Sequence, residues 1–366
     1  MGPGAKPSAR RLVRVLIIDD SAFVRRTLRN LLLSSREIEV VGTAVDGNEG
    51  LKLVEELDPD VITLDLEMPR LDGFAFLRIL MRRKPKPVIV VSSHSERQTV
   101  LRALELGALD FVAKPEKTVS PNLKQIRGEL VDKVLAGAGS LVEQLKVRLD
   151  GSREMLAVDL DPPKQIPESI RPAVPAPGLV VIGTSTGGPS SLRRILSQLH
   201  VDFPFGIIVA QHMPARFTGA FAERLDRESA LHVREAEHGS VVGAGEMIIA
   251  PGGCHTEVVR GAKGFETVVL RAEPGERYIP SVDRLLVSAA DAAGSRVVAL
   301  ILTGMGSDGA MGVQYVRIHG GRVLAEDEST AVVFGMPRVA IATGAVDSVL
   351  PLDAIAPRLV SLVSHM

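Results

Sequence analysis

Short runs of aliphatic and β-branched residues alternate along the first third of the chain with longer stretches whose apolar positions recur at helical spacing. Val13–Ile18, Val40–Ala44, Val61–Leu64, Val88–Val91 and Phe111–Ala113 predict strands. Ala22–Leu33, with apolar Phe23, Leu28, Leu31 and Leu32, and Arg97–Leu106 predict helices between them. Continuously apolar strands separated by helices predict an α/β domain, a parallel sheet covered on both faces. Right-handed crossovers then place the C-terminal end of every strand on one rim.

Near Lys133 the pattern changes. Leu141–Leu149 predicts more helix, but Asp161–Gly178 contains Pro162, Pro163, Pro167, Pro172, Pro175 and Pro177. That density forbids a continuous helix or a central strand and predicts a stiff linker. Beyond Gly178 the alternation resumes, with strands predicted at Leu179–Ile182, Gly206–Ala210, Met247–Ala250, Val297–Leu302 and Arg322–Ala325. Helices are predicted at Ser190–Leu199, Gly219–Asp226 and Val282–Ala293. The reading is two parallel-sheet α/β domains, 12–135 and 178–366, joined by a proline-rich linker over 136–177.

Composition narrows the function classes. A length of 366 residues suffices for two cores. Lys and Arg number 43 against 44 Asp and Glu, so bulk basicity toward nucleic acid or an anionic membrane is not expected. Aromatics are 3% with no Trp, which disfavours base stacking. The single cysteine, Cys254, rules out an intrachain disulfide and fits a reducing compartment. No apolar run approaches the roughly 18 residues of a membrane span, and no secretory signal is visible; a cytoplasmic protein without membrane insertion is expected.

In the first domain, Asp19 and Asp20 follow the first predicted strand, Asp65 follows the third, Ser92 the fourth and Lys114 the fifth. Converging carboxylates repel one another, and a hard cation such as Mg²⁺ relieves that repulsion. Acid, metal, hydroxyl and ammonium together suit phosphoryl transfer onto a carboxylate oxygen. The segments IIDDS, LDLEMPRLDG, VVSS and DFVAKP resemble the response-regulator receiver domain over about residues 12–133. That resemblance implies a flavodoxin-like fold with Asp65 as phosphoacceptor. Asp19, Asp20, Asp65 and the backbone carbonyl of Glu67 would be the Mg²⁺ ligands. Ser92 and Lys114 would contact the phosphoryl group, and Phe111 would occupy the aromatic position that reorients on activation. It also implies a cis Lys114–Pro115 bond.

In the second domain, Gly183-Thr184-Ser185-Thr186-Gly187 fits G-x-S-x-G between a predicted strand and helix. Alone, this is equally a helix cap or a phosphate cradle. His212 lies two residues beyond the strand Gly206–Ala210, and Asp308 lies in the turn beyond Val297–Leu302. A nucleophile, a base and a carboxylate to orient the base thus fall on one rim. His255 competes for the same cleft, whereas His200, His232, His238 and His319 read as surface or helix-end residues. No spacing reads as a zinc site. Gly304-Met305-Gly306-Ser307-Asp308-Gly309 also matches G-x-G-x-x-G, with Glu326 and Asp327 some 20 residues on. Too little chain follows for a full dinucleotide fold, and Asp308 would oppose a pyrophosphate.

IGTSTGGPSSL, AQHMP, IAPGGCH, IPSVDRLL, ILTGMGSDGA and VVFGMPRVA resemble the catalytic domain of the chemotaxis protein-glutamate methylesterases from about Gly178 onward. The resemblance implies a Rossmann-like three-layer domain with Ser185 as nucleophile, His212 as base and Asp308 as its orienter. It also implies that the Met305 backbone N–H binds the oxyanion, and that the esterase site uses no cofactor. Phosphorylation-regulated demethylation and deamidation of methyl-accepting chemoreceptors, with a chemotaxis histidine kinase as phosphoryl donor, is the activity it implies. A receiver fused to a non-catalytic binding module, in which Ser185 only caps a helix, is the competing reading.

Overall fold

The computed structural model describes residues 11–92, 97–114, 123–140, 174–273 and 275–366. Leu141–Leu149, most of the proline-rich stretch and the Lys114–Pro115 bond lie outside them. The chain divides into two compact units, Met1–Leu149 and Asp150–Met366.

The first unit is a five-stranded sheet in the order β2-β1-β3-β4-β5. Its strands are β1 (Val13–Ile18), β2 (Ile38–Ala44), β3 (Val61–Leu64), β4 (Val88–Ser92) and β5 (Asp110–Ala113), all parallel. Val15–Ile18 and all of β4 are buried, as continuous apolar runs in a doubly covered sheet should be. The helices are α1 (Ala22–Leu32), α2 (Gly47–Leu57), α3 (Gly73–Arg83), α4 (Arg97–Glu105) and α5 (Leu123–Ala138). Ser21, Asp46 and Asp72 start α1, α2 and α3 by accepting from the N–H groups of Val24, Glu49 and Ala75. Such caps satisfy donors that the first helical turn leaves unpaired. The chain leaves β1 for β2 on one side and returns to β3 on the other, which opens a crevice at the carboxyl ends of β1 and β3.

The second unit is built on a seven-stranded parallel sheet, β15-β14-β13-β6-β7-β10-β8. Its central strands are β6 (Leu179–Thr184), β7 (Gly206–Gln211) and β13 (Val297–Ile301). Outward lie β8 (His232–Glu235), β10 (Glu246–Ile249), β14 (Arg322–Glu326) and β15 (Ser348–Leu350). A separate antiparallel sheet joins β9 (Val241–Val242), β11 (Cys254–Gly261) and β12 (Gly264–Arg271). The helices are α6 (Gly188–Leu196), α7 (Phe217–Glu228), α8 (Val282–Ala293), α9 (Ala310–Ile318), α10 (Met336–Ala342) and α11 (Leu352–Val363). The buried apolar face of α8, through Val282, Leu285, Leu286 and Ala289, packs in one cluster with Leu179, Val181, Ile208, Ala299 and Ile301 of the sheet.

Register decides which side chains share the rim. Thr184 pairs with Gln211 across β6 and β7, and Gly183 pairs with Ile301 across β6 and β13. The residues just past these three strands therefore emerge at one level. The strand order reverses at β6, so that level is also a switch-point crevice.

Candidate functional site

Ser185 leaves β6 in a turn that ends at Gly187, whose φ of +81° a side chain would strain, before α6 begins. The Ser185 N–H donates to the Thr303 carbonyl at 3.1 Å, tying the turn to the loop after β13. Gly304 brings that loop closer still, since a Cβ there would lie 2.8 Å from Ser185 Cβ and 2.5 Å from Met336 Sδ. On the other side, the His212 N–H donates to the Thr184 carbonyl at 3.0 Å. Buried Gln211 donates through Nε2 to the carbonyls of both Ser185 (2.9 Å) and His212 (3.1 Å). The backbones carrying Ser185 and His212 are thus held together.

His212 Nε2 lies 2.8 Å from Asp308 Oδ2. Asp308 is buried and sits against the start of α8: Oδ2 also accepts from the Val282 N–H at 2.7 Å, and Oδ1 from the Asp283 N–H at 2.9 Å. The Ser281 hydroxyl donates to Oδ1 at 3.3 Å. Burial pushes this carboxyl upward, but the hydrogen bond and charge of His212, with the two helix N–H groups, outweigh it and hold Asp308 below the usual carboxylate range. The free amide donors of a helix N-terminus suit a carboxylate for the same reason.

Nε2 is engaged by Asp308, so Nδ1 is the imidazole nitrogen left to face a proton donor. Among the described residues, Ser185 Oγ and His212 share no hydrogen bond; nucleophile–base contacts often tighten only around substrate. The Met305 N–H makes no hydrogen bond among the described residues, and Met305 is half-buried next to Gly304. Tyr278 stacks on His212 with ring centroids 5.3 Å apart and an interplanar angle of 10°.

The first unit places its own cluster at the crevice between β1 and β3. Ligand atoms of Asp19, Asp20 and Asp65 lie within 4.8 Å of one another. The Asp65 N–H donates to the Ile18 carbonyl (2.8 Å) and the Lys114 N–H to the Ser92 carbonyl (2.8 Å), which sets all these residues on one rim. Lys114 Nζ is 2.6 Å from Asp65 Oδ2 and 3.7 Å from Asp19 Oδ2. Burial and the neighbouring Asp65 push the Asp19 carboxyl up to about 6. Burial likewise raises Asp65, against the opposing pull of Lys114. Asp19 Oδ2 is buried and accepts no hydrogen bond among the described residues. An orphaned oxygen in a crowded acidic crevice fits a hard divalent cation. Glu67 is exposed, and its N–H donates to Asp65 Oδ1 at 3.3 Å. Phe111 is buried beneath Lys133, whose Nζ stands 5.3 Å from the ring centroid.

Residues 180–359 match the CheB methylesterase family and residues 15–121 the response regulator receiver domain. Protein-glutamate methylesterase/protein-glutamine glutaminase 6 of Anaeromyxobacter dehalogenans is 48% identical, over 97% of this chain and 97% of that protein. Its counterpart numbered 3 in Geobacter sulfurreducens is 46% identical, over 94% and 95%. The chain belongs to the protein-glutamate methylesterase/protein-glutamine glutaminase family. The crystal structure of the Thermotoga maritima CheB methylesterase catalytic domain is 44% identical, covering 50% of this chain and 98% of that one, with a TM-score of 0.49.

Within this methylesterase family member, His255 departs from the cleft position open to it in the sequence. It is buried, with Nε2 2.7 Å from Glu276 and Nδ1 accepting from the Ser281 N–H at 3.1 Å. His200, His232 and His238 are exposed, and His319 ends α9. Sequence reasoning missed Gln211, Tyr278 and Ser281. Ser281 carried a usable signal, a serine immediately before the amphipathic helix Val282–Ala293. No helix among the described residues is long and apolar enough to cross a membrane.

Proposed function

We propose that Ser185, His212 and Asp308 form the catalytic triad of a methylesterase that demethylates glutamate methyl esters, and deamidates glutamines, on chemoreceptors. The observation that carries this reading is the His212–Asp308 hydrogen bond, on the strand end beside the glycine-bounded turn of Ser185. Ser185 Oγ attacks the γ-carbonyl and its proton passes to His212 Nδ1. The Met305 N–H stabilises the oxyanion. His212 returns the proton to the departing methoxy oxygen, and methanol leaves an acyl-serine. Water, deprotonated by the same imidazole, then releases the glutamate carboxylate and restores Ser185. With glutamine the leaving group is ammonia. Asp308 stays ionised throughout and steadies the imidazolium. No cofactor takes part at this site.

The regulator spans 12–135, the linker 136–177 and the esterase 178–366 in this reading. Asp65 accepts a phosphoryl group from a chemotaxis histidine kinase, with Ser92 and Lys114 contacting its oxygens. Asp19, Asp20, Asp65 and the Glu67 carbonyl would hold Mg²⁺, which when bound supplies positive charge beside the transferred group. The protein works in the cytoplasm and binds its receptors through protein surfaces. A reading in which Ser185 only caps a helix is weaker, because the N-cap position of α6 is held by Gly187, two residues beyond Ser185. Methanol release from methylated receptor membranes, with and without acetyl phosphate, tests the whole proposal. Stimulated release supports it, and no release under either condition overturns it.

A further inference from the structure

We infer that His255 is a positioning residue for the esterase site, acting through the segment Glu276–Ser281; this rests on the triad reading above. The segment meets the triad twice. Tyr278 stacks on His212, and Ser281 both starts the helix whose N–H groups hold Asp308 and donates its hydroxyl to that carboxylate. His255 ties down both ends of the segment. Its Nδ1 accepts from the Ser281 N–H at 3.1 Å, so the ring proton must reside on Nε2, which donates to Glu276 Oε2 at 2.7 Å.

Glu276 is gripped from elsewhere as well. Its Oε2 accepts from the Glu273 N–H at 2.7 Å and its Oε1 from Arg284 Nη1 at 3.3 Å. Arg284 Nε reaches Glu257 on β11 at 3.3 Å. His255 is itself fixed on β11, opposite Leu270 of β12. The antiparallel sheet therefore serves as a support from which one imidazole sets the spacing between Glu276 and Ser281, the two ends of the segment that carries Tyr278. A buried ring with both nitrogens bonded to the same short loop has little slack. Removing it leaves the Ser281 N–H without that acceptor and takes one of its donors from Glu276 beside the site.

Three variants of the full chain separate this from a general packing role: His255→Leu, which abolishes both hydrogen bonds, His255→Asn, which keeps an acceptor near the Nδ1 position, and Glu276→Ala at the half-exposed end. The readout is covalent labelling of Ser185 by a fluorophosphonate probe, resolved into kinact and KI, on protein whose melting curve confirms folding. His255→Leu should lower kinact about 10²-fold with KI unchanged, as a displacement of about 1 Å in a catalytic group does. His255→Asn should recover to within about tenfold of wild type, and Glu276→Ala should slow labelling about two- to tenfold. Wild-type kinact in folded His255→Leu overturns the inference. If His255→Leu does not fold, Glu276→Ala decides: slower labelling supports the positioning role and an unchanged kinact overturns it. Failure to label Ser185 in the wild-type chain overturns the triad reading itself, and this inference with it.

Discussion

Asp308 Oδ2 stands 2.8 Å from His212 Nε2 and 2.7 Å below the Val282 N–H, so one carboxylate oxygen serves both an imidazole and a helix. Replacement by Asn keeps the size but not the charge, and its amide nitrogen can be turned toward the ring. Asp308→Asn should lower kcat for methanol release by about 10⁴, the scale seen when a triad carboxylate is neutralised. Steady-state assays on methylated receptor membranes check this.

The same carboxyl predicts a pH dependence of stability. Its folded-state pKa lies below that of an unfolded Asp near ~3.9. Its contribution is therefore fully present above that value and is lost as pH falls through the folded-state pKa. The Tm difference between wild type and Asp308→Asn should be largest at neutral pH and shrink in acid. Melting curves at pH 7 and pH 3 measure it.

Ser185→Ala should reduce turnover by roughly 10⁶, if Ser185 behaves as other triad serines do. Methanol release near the wild-type rate from the purified variant would remove Ser185 from the mechanism.

Gly304→Ala tests the close approach of the loop proposed to bind the oxyanion. Its new Cβ would meet Ser185 Cβ at 2.8 Å and Met336 Sδ at 2.5 Å, so both contacts must be relieved, by the loop or by its neighbours. Overpacking of this kind costs about 1–3 kcal/mol of stability. A shift of the nucleophile by about 1 Å costs about 10² in rate. Thermal melts and turnover should change together, whereas full activity in a folded variant would show that the loop yields without moving Ser185.

In the first unit, Asp65→Asn should abolish stimulation by acetyl phosphate while unstimulated methanol release persists. Chelation of divalent cations should do the same to the wild-type chain, because the acidic crevice is the only part of the proposal that requires a cation. Phosphoryl incorporation and methanol release, measured side by side, read both outcomes.

Much of this organisation is legible in the sequence because its functional residues sit immediately after apolar strands. Asp19 and Asp20 follow β1, Asp65 follows β3, and Ser185 and His212 follow β6 and β7. Strand ends are readable from hydrophobic runs, and parallel topology aligns them without further information. The hairpin Cys254–Gly261 and Gly264–Arg271 was readable in principle, since paired valines flank a glycine-bounded turn, but short alternating runs are easily left as loop. Tyr278 and Gln211 were not readable as site residues. Tyr278 acts from an aperiodic loop, and Gln211 through two carbonyls that only the fold brings within reach. His255 shows the opposite difficulty: its place after the turn-like Pro251-Gly252-Gly253 suggests the cleft, whereas its burial and bonding are decided by long-range contacts.

The donors that α8 offers Asp308 belong to the main chain at Val282 and Asp283. Every residue except proline carries the same N–H, so a substitution at those two positions that keeps the packing of α8 leaves both donors in place. The part of Asp308's electrostatic setting that these two donors supply is therefore inherited with the path of the backbone, whatever side chains stand at the two positions.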